Sequence, residues 1–225
     1  MTASPRPRLD RPRPTPAGRP LQPDLHPPKV EYFDLAARVN VDPKGIPRQV
    51  DHYELITPEL LYMRRGMDHP RFGYLQTYLL ADVGLRANIY HHRPEVAAQG
   101  ATAHVRYLDI VAIHREDPQH WEVRDLYLDL VARPKTAAVL PTVAGLAQTP
   151  PATPAHVEVE DIDELLAATA ADLITLEQAD WALRTAMWAY SGISQCQDDI
   201  DSWLRQLGYP INWVGQVPLT DAHGG

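Results

Sequence analysis

A single cysteine, Cys196, excludes an internal disulfide and any cysteine-rich zinc site, and it falls in a helical segment with no evident base beside it. No stretch approaches the roughly 20 consecutive apolar residues that span a bilayer. The N-terminal segment MTASPRPRLDRPRPTPAGRP also lacks the apolar run of a secretory signal, so a cytoplasmic protein with no membrane partner is expected. The chain has no GxSxG elbow, no Walker lysine loop, no GxGxxG and no HExxH. Serine-hydrolase, P-loop, dinucleotide and zincin mechanisms therefore lack their sequence support. No internal repeat is long enough to indicate a solenoid.

Proline, by contrast, is abundant, at 22 residues against 12 glycines. Nine prolines and five arginines fall in residues 1–28, which read as a disordered basic tail without core-forming aliphatics. The chain as a whole, 225 residues, is sized for one ordinary domain with attached segments. Outside the tail, 16 Lys and Arg face 27 Asp and Glu. Such an acidic body opposes a broad nucleic-acid surface, although a local basic patch suits a short polyphosphate, and the Arg-rich tail leaves room for a weak RNA contact.

From Lys29 onward, short aromatic and β-branched runs alternate with turns: VEYFDLAARVN, VDHYELIT, ELLYMRRG, YLQTYLLADVG, LRANIYHHR, VRYLDIVAIHR and WEVRDLYLDLVA. Residues 105–115 and 121–132, joined by EDPQH, predict an antiparallel hairpin. Many strands without intervening helices predict a mainly β body, a curled antiparallel barrel-like sheet that hides its edges, followed by C-terminal helices. The β body occupies residues 29–160 with a proline-rich excursion at 133–155, the helical portion 161–208, and an extension 209–225. Asp161 with Glu164 predicts a capping box for a first helix, and Thr175 with Gln178 one for a second. In that second helix Leu176, Ala179, Leu183, Met187 and Tyr190 form the expected buried stripe. A third, from about Gln197, is expected to turn Ile200, Trp203, Leu204 and Leu207 inward and to stop at Gly208 and Pro210.

The informative feature is acid within strand-like segments. Asp125, Tyr127 and Asp129 are spaced by two and share one face of a regular strand, while Leu126, Leu128 and Leu130 share the other. With the leucines in the core, the first face is expected to be polar, and the hairpin sets Asp109 on the paired strand. Carboxylates so placed raise one another's pKa unless a cation sits among them. Hard oxygen donors without a Cys or His cluster suit Mg²⁺ or Mn²⁺. The plainer alternative is a solvated strand face, with Asp161, Asp163 and Glu164 serving only to cap a helix. Arg64, Arg65 and Arg71 in YMRRGMDHPR, with Lys44 and Arg48, are the basic counterpart. Arg64 and Arg65 point to opposite faces of an extended segment, so at most one serves a given pocket. Adjacent His91 and His92 diverge for the same reason.

The succession YLDIVAI, WEVRDLYLDLVA, VEVEDIDELLAA and ADLITLEQADWAL resembles the domain-of-unknown-function 402 family, which includes FomD and nucleoside tri- and diphosphatases. The resemblance covers most of residues 30–208. It implies a FomD-like barrel with C-terminal helices and hydrolysis of phosphoanhydride bonds in nucleoside di- or triphosphates, or in a related nucleotide-linked phosphate or phosphonate, assisted by one or two Mg²⁺ or Mn²⁺ ions. It implies Asp109, Asp125, Asp129, Asp163 and Glu164 as metal ligands, with Asp109 standing where characterised members carry asparagine. Tyr127 departs from the family's D-x-D-x-D strand. Lys44, Arg64, Arg65, Arg71 and Tyr127 are the expected phosphate-binding residues, with Arg64 or Arg65 stabilising the leaving phosphate and Glu164 the candidate base. The competing expectations are a non-catalytic nucleotide- or RNA-binding module using the same pocket, and a purely structural module in which the aspartates are dispersed.

Overall fold

The computed structural model describes residues 25–98, 104–134, 146–148 and 155–219. Its elements in chain order are β1 (Val30–Asp34), β2 (Val39–Val41), β3 (Pro47–Gln49), β4 (His52–Thr57), β5 (Leu60–Gly66), β6 (Phe72–Leu80), β7 (Leu85–His92), α1 (Pro94–Ala98), β8 (His104–Asp117), β9 (His120–Pro134), β10 (Leu146–Gln148), β11 (Ala155–Glu160), α2 (Ile162–Ala170), α3 (Leu176–Gln195), α4 (Ile200–Gln206) and β12 (Gln216–Pro218). The run VEYFDLAARVN is two strands, because Asp34 Oδ1 accepts from the Ala37 N–H at 2.8 Å and Arg38 turns left-handed at φ 57°. The expected hairpin is β8–β9, whose antiparallel ladder runs from Arg106 opposite Ala132 to Asp117 opposite His120.

The principal sheet is antiparallel in the order β3-β2-β1-β9-β8-β7-β6-β5-β4. It curls strongly. Phe33 on β1 packs in one apolar cluster with Leu61 and Met63 on β5, although four strands intervene. The expected barrel, however, is not formed: β3 and β4 are the two ends of the sheet and no ladder joins them. They are consecutive in the chain, and the linking N–H groups of Val50 and Asp51 are spent on the carbonyls of Arg38 and Arg64 at 2.9 and 3.1 Å. Three-residue β3 also opens on Pro47, which has no N–H to give. Side chains bridge the gap instead, the Tyr53 hydroxyl donating to the Val39 carbonyl at 2.9 Å.

Both faces of this sheet are core, contrary to the expectation that only one would be. Leu60, Tyr62, Tyr78, Leu80, Leu108, Ile110 and Leu130 lie beneath the C-terminal helices, whereas Leu61, Met63, Leu75, Leu79, Val111, Trp121 and Val123 line the inner curl. Each fully buried Leu or Val contributes about 1.5–3 kcal/mol. Curling lets the inner face cover itself.

The helices follow their signals in part. Thr175 and Gln178 form the expected reciprocal capping box on α3. The stripe that α3 buries is Ala179, Ala182, Ala186, Ala189 and Ile193, because small side chains let the helix sit close on the sheet. Leu176 and Met187, expected inward, are 77 % and 60 % exposed. Asp161 makes no side-chain cap and is left-handed at φ 65°: Glu160 is still laddered to Asp129, so the chain must swing into α2 within one residue. In α4, Ile200, Trp203 and Leu204 are buried and Asp199 caps the start, while Leu207 is exposed. After α4 the chain returns to the sheet: the Tyr78 hydroxyl both donates to the Asn212 carbonyl and accepts its N–H, and β12 pairs with β10. Residues 1–24, and 135–145 and 149–154 of the proline-rich excursion, lie outside the described residues.

Candidate functional site

The site follows from an irregularity in β9. Asp109 stands opposite Asp129, and Val111 opposite Asp125. Between those pairs β8 spends one residue and β9 three: Leu126, Tyr127 and Leu128. Such a bulge needs one residue outside the extended region, and Tyr127 supplies it at φ 71°. The Asp125 carboxylate steadies the turn by accepting the Tyr127 N–H at 2.8 Å. Tyr127 thereby leaves the polar face predicted for it and is buried with the leucines, its hydroxyl donating to the His26 carbonyl at 2.8 Å. Asp125 and Asp129 stay on the inner face. The other side of β9 pairs with β1 through Arg124 and with β11 from Asp129 onward, so the bulge lies between two ladders.

On that inner face is a cavity of about 550 Å³, and Asp109, Asp125 and Asp129 line its wall. Cross-strand register sets Arg86, Asp109 and Asp129 in one row across β7, β8 and β9. Arg86 Nη1 donates to Glu31 Oε1 at 2.6 Å, and its Nε to Asn88 Oδ1 at 3.1 Å and Thr77 Oγ1 at 3.3 Å. That same Nε lies 3.9 Å from Asp109 Oδ2, which also accepts from Asn88 Nδ2 at 2.8 Å. From Glu31 the network continues through Asn40 Nδ2 at 3.2 Å, and Arg65 Nε donates to Asn40 Oδ1 at 2.8 Å. At the other end of the acidic row, Lys29 Nζ lies 3.9 Å from Asp125 Oδ2.

Burial sets the electrostatics. It pushes the Asp109 carboxyl up to about 7, with Arg86 opposing and Asp125 adding to the rise. Asp129 is raised well above the usual carboxylate range by burial and then by Asp109, Asp125 and Asp161. Asp125 is raised by burial, against the Tyr127 N–H and Lys29. Asp129 has no hydrogen-bond partner among the described residues. Asp109 and Asp125 each face one cation at 3.9 Å, and all three carboxylates line one cavity instead of being dispersed in solvent, as a purely structural module would have them. Among the described residues no three His, Cys, Asp or Glu side chains form a ready-made metal-ligating group.

Of the basic residues singled out from sequence, Lys44, Arg48 and Arg65 line the cavity. Arg48 is held by Asp42 at 2.9 Å and Arg65 is buried, which lowers its pKa. Arg64 takes the other face of β5, as alternation requires, and its buried Nε has no partner among the described residues. Arg71 is exposed, its guanidinium 5.8 Å from the Phe72 ring centre. Asp163 is exposed in the first turn of α2, and Glu164 beside it faces His26 Nε2 at 3.9 Å; neither lines the cavity. Burial raises the Glu164 carboxyl, with Asp161 adding to the rise. His91 and His92 are both buried. Cys196 caps α3 and donates to Gln206 Oε1 at 3.1 Å.

Sequence reasoning missed Lys29, Glu31, Asn40, Thr77, Arg86 and Asn88. One signal was available: in LRANIYHH, Arg86 and Asn88 are spaced by two among apolar residues, which places two polar groups on one buried face. Among the described residues, no helix is long and apolar enough to cross a membrane.

No protein-family model and no curated protein matches the chain. A solved structure does: a protein of unknown function DUF402 from Rhodococcus sp. RHA1 is 40 % identical, with a TM-score of 0.70, over 84 % of this chain and 100 % of that one. With that identity and coverage, and the same mainly β architecture with C-terminal helices, the chain belongs to the domain-of-unknown-function 402 (DUF402) family.

Proposed function

We propose that the protein is a divalent-cation-dependent hydrolase of phosphoanhydride bonds, acting on nucleoside di- or triphosphates or a related nucleotide-linked phosphate or phosphonate. The observation that carries this reading is the Asp129 carboxylate, without a hydrogen-bond partner among the described residues, opposite Asp109 and sharing with it and Asp125 the wall of a cavity that also presents Lys44, Arg48 and Arg65. Three half-buried, mutually repelling carboxylates are a costly arrangement that a cation relieves. Their hard oxygens fit Mg²⁺ or Mn²⁺. Mg²⁺ commonly takes only one or two protein carboxylates and completes its shell from water and substrate phosphate oxygens, which suits a site with no ready-made ligand cage.

Asp109, Asp125 and Asp129 hold the cation in this reading, and Asn88 fixes the rotamer of Asp109 through its 2.8 Å bond. When bound, the cation supplies Lewis-acid polarisation of phosphate oxygens and a water of lowered pKa. Lys44, Arg48 and Arg65 lie where the two ends of the curled sheet approach each other, on β5 and around β2 and β3, and bind the charge on the phosphates. Phe72, Tyr90 and Tyr107 give the cavity aromatic surface for the remainder of the ligand.

Phosphate release by the full chain from nucleoside di- and triphosphates tests this, with Mg²⁺, Mn²⁺ or EDTA and with Asp129→Asn in parallel. Cation-dependent release that the substitution abolishes is the expected result. Nucleotide binding without release would replace the hydrolase by a non-catalytic binding module, and neither binding nor release would refute both.

A further inference from the structure

The acidic row carries its own cation at one end, and that cation is not free to leave. Arg86 is buried, and its guanidinium touches two carboxylates, Glu31 at 2.6 Å and Asp109 at 3.9 Å, while Asn88 and Thr77 hold its Nε. Glu31, Thr77 and Asn88 are buried as well, so the guanidinium is held on several sides and only the cavity wall opens to it. We propose that the Arg86 guanidinium occupies the place of a second metal ion between Glu31 and Asp109, so that the site takes one divalent cation and not two.

The charge balance points the same way. Glu31, Asp109, Asp125 and Asp129 are met by Arg86 and Lys29, which leaves two carboxylates in excess, the charge of a single divalent ion. A second ion beside Asp109 would share that carboxylate with a buried guanidinium, two like charges in a poorly solvated space. Arg86 and Asn88 both engage Asp109 through Oδ2, so its Oδ1 remains with Asp125 and Asp129 for the one ion. Arg65 also feels the Glu31 charge, but it hydrogen-bonds Asn40 and the Gly66 carbonyl and is counted with Lys44 and Arg48 on the phosphate side of the cavity.

The inference rests on the cation-binding reading of the site, and its test separates the two. Mn²⁺ is titrated into the full apo chain while the electron paramagnetic resonance signal of free Mn²⁺ is followed. The wild type should take up one ion per chain, lost in Asp129→Asn. Arg86→Gln should take up two, since Glu31 and Asp109 are then left facing an open place. Arg86→Gln with Glu31→Gln, which leaves no lone buried charge, should return to one. Two ions in the wild type overturn the inference whatever the stability of the variants, and so does a folded Arg86→Gln that binds one. No uptake by the wild type overturns the cation reading itself and the inference with it.

Discussion

Replacing Asp109 by asparagine should stabilise the cation-free protein at neutral pH. The Asp109 carboxyl is pushed from 3.8 up to about 7 in the folded chain, chiefly by burial. A carboxyl whose folded pKa is raised favours folding when protonated and opposes it when ionised. Its stability contribution is therefore intact below about pH 4 and lost as pH climbs from there to about 7. At about 1.4 kcal/mol per unit over about three units, the loss reaches up to about 4 kcal/mol. Asparagine never ionises, and its amide oxygen still accepts from Asn88 Nδ2, while Arg86 keeps Glu31, Asn88 and Thr77. Urea unfolding in EDTA at intervals from pH 4.5 to 8 measures the difference, which includes the relief Asp129 gains when its neighbour cannot ionise. The gap between Asp109→Asn and wild type should be near zero at the acid end and widen to a plateau of about 2–4 kcal/mol above pH 7. Adding Mn²⁺ should close it, because the wild type gains a ligand that the variant binds less well. A variant equal to or weaker than the wild type at pH 8 in EDTA would refute the claim that the acidic row is held at a cost.

At the start of α3 the reciprocal cap is formed, so Thr175→Ala should cost about 1 kcal/mol in urea unfolding; an unchanged stability would mean that the box contributes nothing. Gly84→Ala should cost about 2–4 kcal/mol, because the residue is left-handed at φ 63° and an added Cβ would lie 2.1 Å from the Trp181 ring; a loss under about 1 kcal/mol would mean that α3 is not seated on the β6–β7 turn as described.

How much of this was legible in the sequence depends on the range of the interactions involved. The β8–β9 hairpin, the Thr175 capping box and the two-residue alternation that separates Arg64 from Arg65 are local, and short-range pattern recovers each of them. The acidic trio was legible for the same reason, since Asp125 and Asp129 share a strand and Asp109 lies on its hairpin partner. What failed was the assumption of regularity. A strict period of two carries Tyr127 to the same face as the aspartates, but one left-handed residue and two extra positions against β8 send it into the helix-covered core. Regular alternation likewise predicts one polar face, whereas a sheet curled until β1 meets β5 buries both. The remainder of the site was illegible because its partners are distant in sequence: Arg86 lies 55 residues from Glu31, and Arg65 lies 25 from Asn40. Only the strand order brings them together. The same order explains why the ends of the sheet need not close, since a buried chain of hydrogen bonds from Arg65 to Asp109 crosses the inside of the curl and ties β5 to β2 and β1 where a barrel would have placed a ladder.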